Sequence, residues 1–331
     1  MLRRVLLSLA AAALLLPGQA SAAARTSIFY YPWYGTPKVD GRFMHWQQNG
    51  AAPPSQIASA FYPARGPYSS ADRLVLAAQM DEIHRAGVDQ IAVSWWGWGS
   101  IEDQRLALLL PAARAVGLDV AAHLEPYARR TAASTARDVA HLHELGIADF
   151  YVYGPQDDVP ESWKAANAAL PEGVRMFAQT PMVGWAAAGG FDGVYTYDVL
   201  VFTGDRFVRL CDQARKLKLL CAPSVGPGYD ARRAVGDMRV RPRRNGRTYD
   251  GMWGSALRAR ADMVTITSYN EWHEGSQIEP ARARRGYRGY DGAWGVRGPD
   301  AERAYLDRTA YWTARFSLSR ASSRVAAGTA R

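Results

Sequence analysis

The stretch VDQIAVSWWGWGSIEDQRLALLLPAARAVGLDVAAHLEPY, residues 88–127, contains the repeating unit of this chain. It begins with an apolar run at 88–97, continues with an amphipathic segment at 103–116, and ends with a second apolar run at 118–127. Nearly continuous apolar runs are typical of strands buried on both faces, as in parallel sheets. Gly117 follows the amphipathic segment, where helices commonly end. The stretch therefore predicts a strand, a helix and a second strand parallel to the first.

The same alternation recurs along the whole chain. Eight strands are predicted, at 26–35, 88–97, 118–127, 148–154, 175–182, 191–199, 219–227 and 263–272. Helices are predicted at 72–86, 103–116, 132–145, 161–170, 205–218, 252–260 and 300–315. Eight strand–helix repeats in 331 residues favour an α/β fold, a single (β/α)8 TIM barrel with long lid loops at 36–71 and 226–251. A doubly wound open sheet is the alternative, but the glycine-rich phosphate turn that follows its first strand is missing.

The two ends of the chain differ in composition from the predicted barrel, residues 25–318. The first 24 residues carry two arginines, a short apolar run and small residues at 20–22, which is typical of a cleaved signal peptide. The apolar run is shorter than the roughly 20 residues that span a membrane. We therefore expect a secreted or periplasmic protein, cleaved after Ala22 or Ala24, without membrane insertion. Residues 319–331 are predicted to form a disordered tail.

The formal net charge of +9 comes almost entirely from arginine, since the chain has only four lysines. A basic face could bind nucleic acid or an anionic surface. No nucleic-acid-binding motif accompanies the charge, so we expect solvated basic loops, no nucleic-acid partner and a monomer. The two cysteines, Cys211 and Cys221, could form a disulfide outside the cytoplasm, or both could be buried as small apolar residues.

The predicted carboxyl ends of the strands are rich in aromatic and acidic residues. Active sites of (β/α)8 barrels lie at this end of the barrel. Carboxyl groups can act there as acid and base, and aromatic faces can stack on sugar rings. This combination predicts an enzyme that acts on glycans.

The last of these strand ends, SYNEWHEGSQIEPA at 268–281, holds the strongest candidates. Glu271 and Glu274 are three residues apart, which in a helical turn separates their Cβ atoms by about 5–6 Å. Two carboxylates this close raise one pKa, so that one can be an acid and the other a base. A solvated turn is the second interpretation. A zinc site with His123 and His273 is the third, but there is no HExxH motif and no clear third ligand, so we expect no metal and no cofactor.

Four motifs together resemble glycoside hydrolase family 99, the endo-α-1,2-mannosidases and mannanases. They are YYPWYG (30–35), SWWG (94–97), HLEPY (123–127) and ITSYNEWHEGSQIEPA (266–281). The resemblance covers nearly all of the predicted barrel, and the last motif is the most specific. It implies a (β/α)8 barrel and a retaining mechanism in which a glutamate deprotonates the substrate's own 2-hydroxyl. That oxygen then attacks the anomeric carbon and forms a 1,2-anhydro sugar.

The resemblance also assigns roles to residues. Glu271 matches the base and Glu274 the acid that protonates the leaving group and then activates water. The residues that match substrate-binding positions are Tyr30 or Tyr31, Trp95 or Trp96, Glu125, Tyr197, Arg241 and Asn270. The implied substrate is an α-linked oligosaccharide or polysaccharide.

The chain departs from the family pattern after the fourth strand. Family members typically continue YVY with Asp-Ser-Tyr, whereas this chain has Gly154-Pro155-Gln156. We therefore expect the fourth strand's contribution to the pocket, and with it the substrate, to differ from the family pattern. Two alternatives stay open: a glycosidase of other α-glycan specificity, and a non-catalytic glycan-binding protein on the same scaffold.

Overall fold

The structure, a computed structural model, describes residues 25–328, so the predicted signal peptide lies outside the described residues. The strands are β1 Arg25–Tyr30, β2 Gln90–Trp95, β3 Asp119–Leu124, β4 Asp149–Val152, β5 Arg175–Gln179, β6 Gly193–Tyr195, β7 Leu220–Ala222, β8 Ser224–Val225, β9 Tyr229–Asp230, β10 Val240–Arg241 and β11 Met263–Ile266. The helices are α1 Pro37–Asp40, α2 Arg73–Arg85, α3 Ile101–Ala115, α4 Ala132–Glu144, α5 Pro160–Asn167, α6 Val183–Ala188, α7 Phe207–Lys216, α8 Arg247–Arg258 and α9 Ala304–Gly328. Short 3-10 turns lie at Gln48–Gly50, Pro155–Asp157, Arg244–Gly246, Ala293–Gly295 and Gly298–Arg303.

Nine parallel strand segments form the predicted barrel. Their order is β7-β6-β5-β4-β3-β2-β1-β11-β8. The first and last segments in this order, β7 and β8, are consecutive in the chain and are separated only by Pro223. Proline has no N–H to donate to a neighbouring strand, which explains the interruption. The two halves of the predicted strand 219–227 therefore pair with β6 on one side and β11 on the other, and the sheet closes on itself.

The barrel interior is filled by aromatic side chains. The ring of Phe29 on β1 lies 4.5 Å from His123, 5.8 Å from Tyr151 and 5.7 Å from Tyr195, measured between centroids. Successive residues of a strand point to opposite faces, so Tyr30 points outward. Its hydroxyl donates to Gln79 on α2 at 2.6 Å. Burial of each such side chain stabilises the fold by about 1.5–3 kcal/mol.

A charged network closes the amino-terminal end of the barrel. The carboxylate of Asp149 is buried and accepts hydrogen bonds from Arg175 (2.7 Å), Gln90 (2.8 Å) and Arg25 (3.1 Å). A buried carboxylate is tolerated only when it is paired in this way. Asp149, on β4, therefore ties its own strand to β1, β2 and β5 on the side of the barrel opposite to the predicted site.

The outer ring of helices ends with α9, which packs on both α2 and α8. Thr313 donates to the carbonyl of Ala86, just after α2, and Thr309 shares a hydrogen bond with Tyr249 of α8. The structure describes 319–328 as the end of α9, where a disordered tail was predicted, and 329–331 lie outside the described residues. Segment 183–190, which is too short for a full helix, contains the six-residue α6.

Two loops cover the carboxyl end of the barrel. In the segment 36–71, Trp46 stacks on Tyr34 at 4.2 Å and its indole N–H donates to the carbonyl of Tyr68. The antiparallel hairpin β9–β10 lies in the second lid segment, 226–251.

Cys211 of α7 and Cys221 of β7 are joined by a disulfide. Among the described residues no helix is long and apolar enough to span a membrane.

Candidate active site

The loop after β11 carries the two candidate glutamates. Glu271 is 3% exposed, and its backbone N–H donates to Ser268 Oγ at 2.8 Å. Its carboxylate Oε1 accepts a hydrogen bond from the backbone N–H of His273 at 3.0 Å. These two contacts fold the loop into a tight turn and fix the direction of the carboxylate.

The second glutamate meets tyrosines from two other strand ends. Glu274 Oε2 accepts a hydrogen bond from the Tyr197 hydroxyl at 3.4 Å, and that hydroxyl is also in contact with the Tyr31 hydroxyl. Tyr31 follows β1 and Tyr197 follows β6, so the closed barrel brings residues far apart in the sequence to one carboxylate. Tyr31 and Tyr197 therefore lie where the sequence predicted binding aromatics.

Glu125, just after β3, lies in a second polar group of the same site. Its Oε1 accepts from Ser94 Oγ at 2.8 Å and lies 3.1 Å from His123 Nδ1. The indole N–H of Trp96 donates to the same Ser94 oxygen at 3.2 Å. Trp96 is 38% exposed, so its ring is held in place and remains accessible.

Burial and mutual repulsion set the protonation of the glutamate pair. Burial raises the pKa of Glu271 well above its usual value, and the charge of Glu274 raises it further. Burial, followed by the charges of Asp198 and Glu125, raises the pKa of Glu274 to about 7. Among the described residues neither carboxylate is paired with an arginine or lysine. The pair therefore retains protons near neutral pH, as groups that act as acid and base require.

A buried histidine connects this loop to the first lid. His273 Nε2 is hydrogen-bonded to the carbonyl oxygen of His45, which identifies Nε2 as the protonated nitrogen. His273 Nδ1 then faces Glu271 Oε1 at 3.5 Å. Burial lowers the pKa of His273 to about 4, so the ring is neutral at pH 7. The ring of Trp33, just after β1, stacks on the ring of His45 with 4.6 Å between their centroids, so His45 is held from both sides.

Two of the predicted binding aromatics point away from this site. Tyr30 faces α2, as described above, and Trp95 donates its indole N–H to Asp103 of α3 at 2.9 Å. Both side chains are fully buried. Because adjacent strand residues face opposite sides, Tyr31 and Trp96 are the members of each pair that line the site.

Two polar residues that were predicted to bind substrate make their hydrogen bonds to the protein's own backbone. The side-chain amide of Asn270 donates to the carbonyl of Tyr31 at 2.9 Å, accepts from its N–H at 2.7 Å, and is fully buried. Arg241, on β10, donates to the carbonyls of Val199 and Thr203. The structure therefore places Asn270 and Arg241 as residues that hold the loops of the site.

Sequence reasoning missed several residues that shape the site. Ser94 and His123 orient Glu125, although His123 was considered only as a zinc ligand. The available signal was their position in SWWG and HLEPY, two residues before Trp96 and Glu125. Glu279, the third acid of the last motif, accepts from Tyr68, Gln79 and Trp272 and is paired with Arg65. Among the described residues, no group of three or more histidine, cysteine, aspartate or glutamate side chains is arranged to hold a metal ion.

The departure after the fourth strand forms a turn of its own. Gly154 has a φ of 55°, in the left-handed region that favours glycine. The Pro155 carbonyl accepts from Trp163 at 2.7 Å, and Gln156 donates to the Gln179 carbonyl at 3.2 Å. This turn contributes neither an acid nor an aromatic side chain at residues 154–156.

Known proteins are similar to this chain over most of its length. The family model described as glycosyl hydrolase family 99 matches residues 22–153 and 182–318, so the unmatched segment begins at Gly154. The glycoprotein endo-alpha-1,2-mannosidase of Rattus norvegicus is 30% identical over 354 residues, covering 88% of this chain and 75% of the relative. A glycoprotein endo-alpha-1,2-mannosidase-like protein of Danio rerio is 30% identical and covers 88% of this chain and 78% of its own length. The solved structure of the GH99 endo-alpha-mannosidase from Bacteroides thetaiotaomicron superposes with a TM-score of 0.81 at 30% identity, covering 89% of this chain and 98% of that chain.

Proposed function

This chain belongs to glycosyl hydrolase family 99 and is a glycoside hydrolase, and we propose that it is a retaining endo-glycosidase that cleaves α-mannosidic linkages of the α-1,2-mannan type. The relatives above are named for endo-α-mannosidase activity, which supports this substrate class. The observation that carries the proposal is the pair of buried Glu271 and half-buried Glu274, which has no paired lysine or arginine among the residues the structure describes.

In the proposed first step, the Glu271 carboxylate removes the proton from the 2-hydroxyl of the sugar. The freed oxygen attacks the anomeric carbon of the same sugar, and the bond from that carbon to the leaving oxygen breaks. Glu274 gives its proton to the leaving oxygen. The N–H of His273 stabilises the charged form of Glu271, and desolvation makes that carboxylate a stronger base.

In the second step the 1,2-anhydro sugar is opened by water. The Glu274 carboxylate takes a proton from water, the water oxygen bonds to the anomeric carbon, and Glu271 returns the proton to the 2-oxygen. Two inversions at one carbon give a product of retained configuration. No protein nucleophile is needed, since the substrate supplies its own.

The sugar is proposed to lie among Tyr31, Trp96, Glu125 and Tyr197. Trp96 offers an accessible aromatic face, and Glu125 offers a carboxylate oriented by Ser94 and His123. Tyr197 donates to Glu274, and its hydroxyl contacts that of Tyr31, so a sugar hydroxyl can join these hydrogen bonds.

The proposal includes export of the protein as a monomer that needs no cofactor. The pattern of the first 24 residues supports export. The disulfide between Cys211 and Cys221 is of the kind that persists in oxidising compartments outside the cytoplasm.

A second candidate is an enzyme of the same mechanism with a different α-glycan specificity. The turn at Gly154 and the unmatched segment after it favour this candidate, because they alter one wall of the strand ends. A purely glycan-binding role is disfavoured, because binding alone gives no reason to bury two uncompensated carboxyls.

The test is incubation of the purified protein with α-mannan and with glucosylated or mannosylated α-1,2-mannose oligosaccharides. Product masses and anomeric NMR then report the cleavage. We expect a disaccharide or longer unit with retained α configuration, and no cleavage of a substrate lacking the 2-hydroxyl. A product of inverted configuration, or turnover without the 2-hydroxyl, would overturn the mechanism. Cleavage of another α-glycan alone would favour the second candidate.

A further inference from the structure

A groove lined with arginines adjoins the catalytic loop. Two neighbouring cavities, of about 550 and 430 Å³, lie between the first lid, the segment after β9 and the segment 282–290. They share Arg233 and Tyr287 in their walls. We name the two cavities together the arginine groove, after its residues Arg232, Arg233, Arg285 and Arg288.

One wall of the arginine groove is held rigidly. The guanidinium of Arg233 lies 4.5 Å from the ring centroid of Tyr287 and donates to the carbonyls of Ser59 and Gly286. The Tyr287 hydroxyl in turn accepts from the backbone N–H of Ile57 at 2.8 Å. The positive charge of Arg233 is therefore fixed in place before any ligand binds.

The charges of the arginine groove do not balance. Arg232 and Arg288 both bind the carboxylate of Asp230, each at 2.8 Å. Arg285 has no acidic partner among the described residues. The lining contains four arginines and one aspartate, which leaves a formal excess of three positive charges. Such an excess attracts anionic groups.

The arginine groove is connected to the active site through Asp230. The backbone N–H of Asp230 donates to the carbonyl of Glu274 at 2.7 Å, and Gly275 packs against Asp230. A polysaccharide long enough to be cut internally extends beyond the catalytic residues, so its further sugars can reach this groove. All four cations are arginines, whose planar guanidinium binds phosphate, sulfate or carboxylate through two parallel hydrogen bonds.

We propose that the arginine groove binds anionic substituents of the glycan substrate, so that the enzyme prefers an α-mannan carrying phosphodiester, sulfate or carboxylate groups over a neutral one. This inference rests on the proposed function. A single-stranded nucleic acid fits less well, because binding it relies on free aromatic faces. The aromatic ring of the lining, Tyr287, is half-buried and covered by Arg233.

The test measures binding without turnover, in the Glu274→Gln background. Calorimetry compares a phosphodiester-bearing α-mannan, a chemically sulfated α-mannan and the same neutral α-mannan. We expect the charged polymers to bind about tenfold more tightly, with an advantage that shrinks as salt is raised. Adding Arg285→Glu should remove most of the advantage. Arg209→Glu, an equal charge change on the exposed face of α7, should leave it intact.

Equal affinity for charged and neutral mannan, or an equal loss in Arg209→Glu, would overturn the proposal. A single-stranded RNA oligonucleotide that binds as tightly as phosphodiester-bearing mannan would overturn the assignment to a glycan. A preference for only one of the charged mannans would support the proposal and identify its anion. Failure of the wild-type protein to cut any α-mannan is a separate result, which counts against the proposed function while the binding series still decides the groove.

Discussion

The side-chain amide of Asn270 pairs with the backbone of Tyr31 as a neighbouring strand would, through bonds of 2.7 and 2.9 Å. Asn270 precedes Glu271, and Tyr31 follows β1, so one side chain joins the loop of the two glutamates to the end of the first strand. The contact also fixes the direction of Tyr31, whose hydroxyl lies against Tyr197 beside Glu274.

Replacing Asn270 by alanine should therefore lower both stability and activity. Asn270→Ala leaves the buried N–H and carbonyl of Tyr31 without partners, which costs about 2–4 kcal/mol of unfolding free energy. Urea denaturation and steady-state kinetics measure the two effects. Asn167→Ala removes a single, half-buried bond to the Gly189 carbonyl and should cost less than half as much. Equal effects of the two variants would contradict a special role for Asn270.

The two glutamates proposed as base and acid should respond differently to substrates with good leaving groups. Glu274→Gln should lose about 10²–10⁴-fold in kcat on ordinary glycans and far less on an aryl glycoside with an acidic phenol, since that leaving group needs no proton. Glu271→Gln should lose activity on both, because the 2-hydroxyl still needs a base. Comparison of kcat on the two substrates checks this, and equal responses of the variants would contradict the assigned roles.

The pH profile should show the raised pKa values of the pair. The reaction needs one carboxylate and one carboxyl, and the two glutamates titrate as a coupled pair that passes from two protons to one near pH 7, where burial has raised the pKa of Glu274. We expect kcat/KM to rise as the pH rises through about 7, rather than through the value of about 4.3 of an ordinary glutamate. A rise complete by pH 5 would show that the pair is not desolvated.

The same pKa shifts predict how stability depends on pH. Burial raises the folded-state pKa of Glu274 above its unfolded value, so its contribution to stability is full below about 4.3 and is lost as the pH rises through about 7. Glu274→Gln cannot ionise and avoids this loss. We expect the variant to gain about 2 kcal/mol on the wild type between pH 5 and pH 8. Thermal unfolding at both pH values measures the gain, and its absence would contradict the shift.

Trp96 should contribute to substrate binding more than to catalysis. Trp96→Ala removes the accessible ring held by Ser94, and we expect KM to rise about tenfold with kcat nearly unchanged. Trp98→Ala is the matched control, because Trp98 lies on the same loop and stacks on His141 at 3.9 Å. Equal increases in KM for both variants would show that the loop as a whole, rather than Trp96, sets the affinity.

The sequence was sufficient for the parts of the fold and site that depend on local patterns. The barrel strands lie within the eight predicted ranges, except that β1 begins one residue early at Arg25, because each strand is an apolar run bounded by polar residues and glycines. The Glu271 and Glu274 pair was predicted from its spacing together with its place after the eighth strand, among aromatic residues. The sequence did not show which of Tyr30 and Tyr31 faces the site and which faces the surrounding helices. In a strand buried on both faces, adjacent residues are equally apolar, so the alternation leaves no contrast to read.

Other residues could not be interpreted because their partners are distant in the chain. Asn270 binds a residue 239 positions away. Arg241 binds a carbonyl 42 positions away. Each has the residue type that binds sugars, and only the closed barrel shows that its hydrogen bonds are already made within the protein.

The loop with both acids is anchored to each of the two lids, through His273 to the carbonyl of His45 and through the carbonyl of Glu274 to the N–H of Asp230. The lids are therefore poor modules for exchange between relatives, since grafting a new lid to alter glycan selectivity also alters the supports of the acid and the base. A graft that keeps the backbone at His45 and Asp230 in place and varies only the lid tips separates the two tasks. In this architecture, specificity can be changed independently of catalytic rate only beyond those two anchor points.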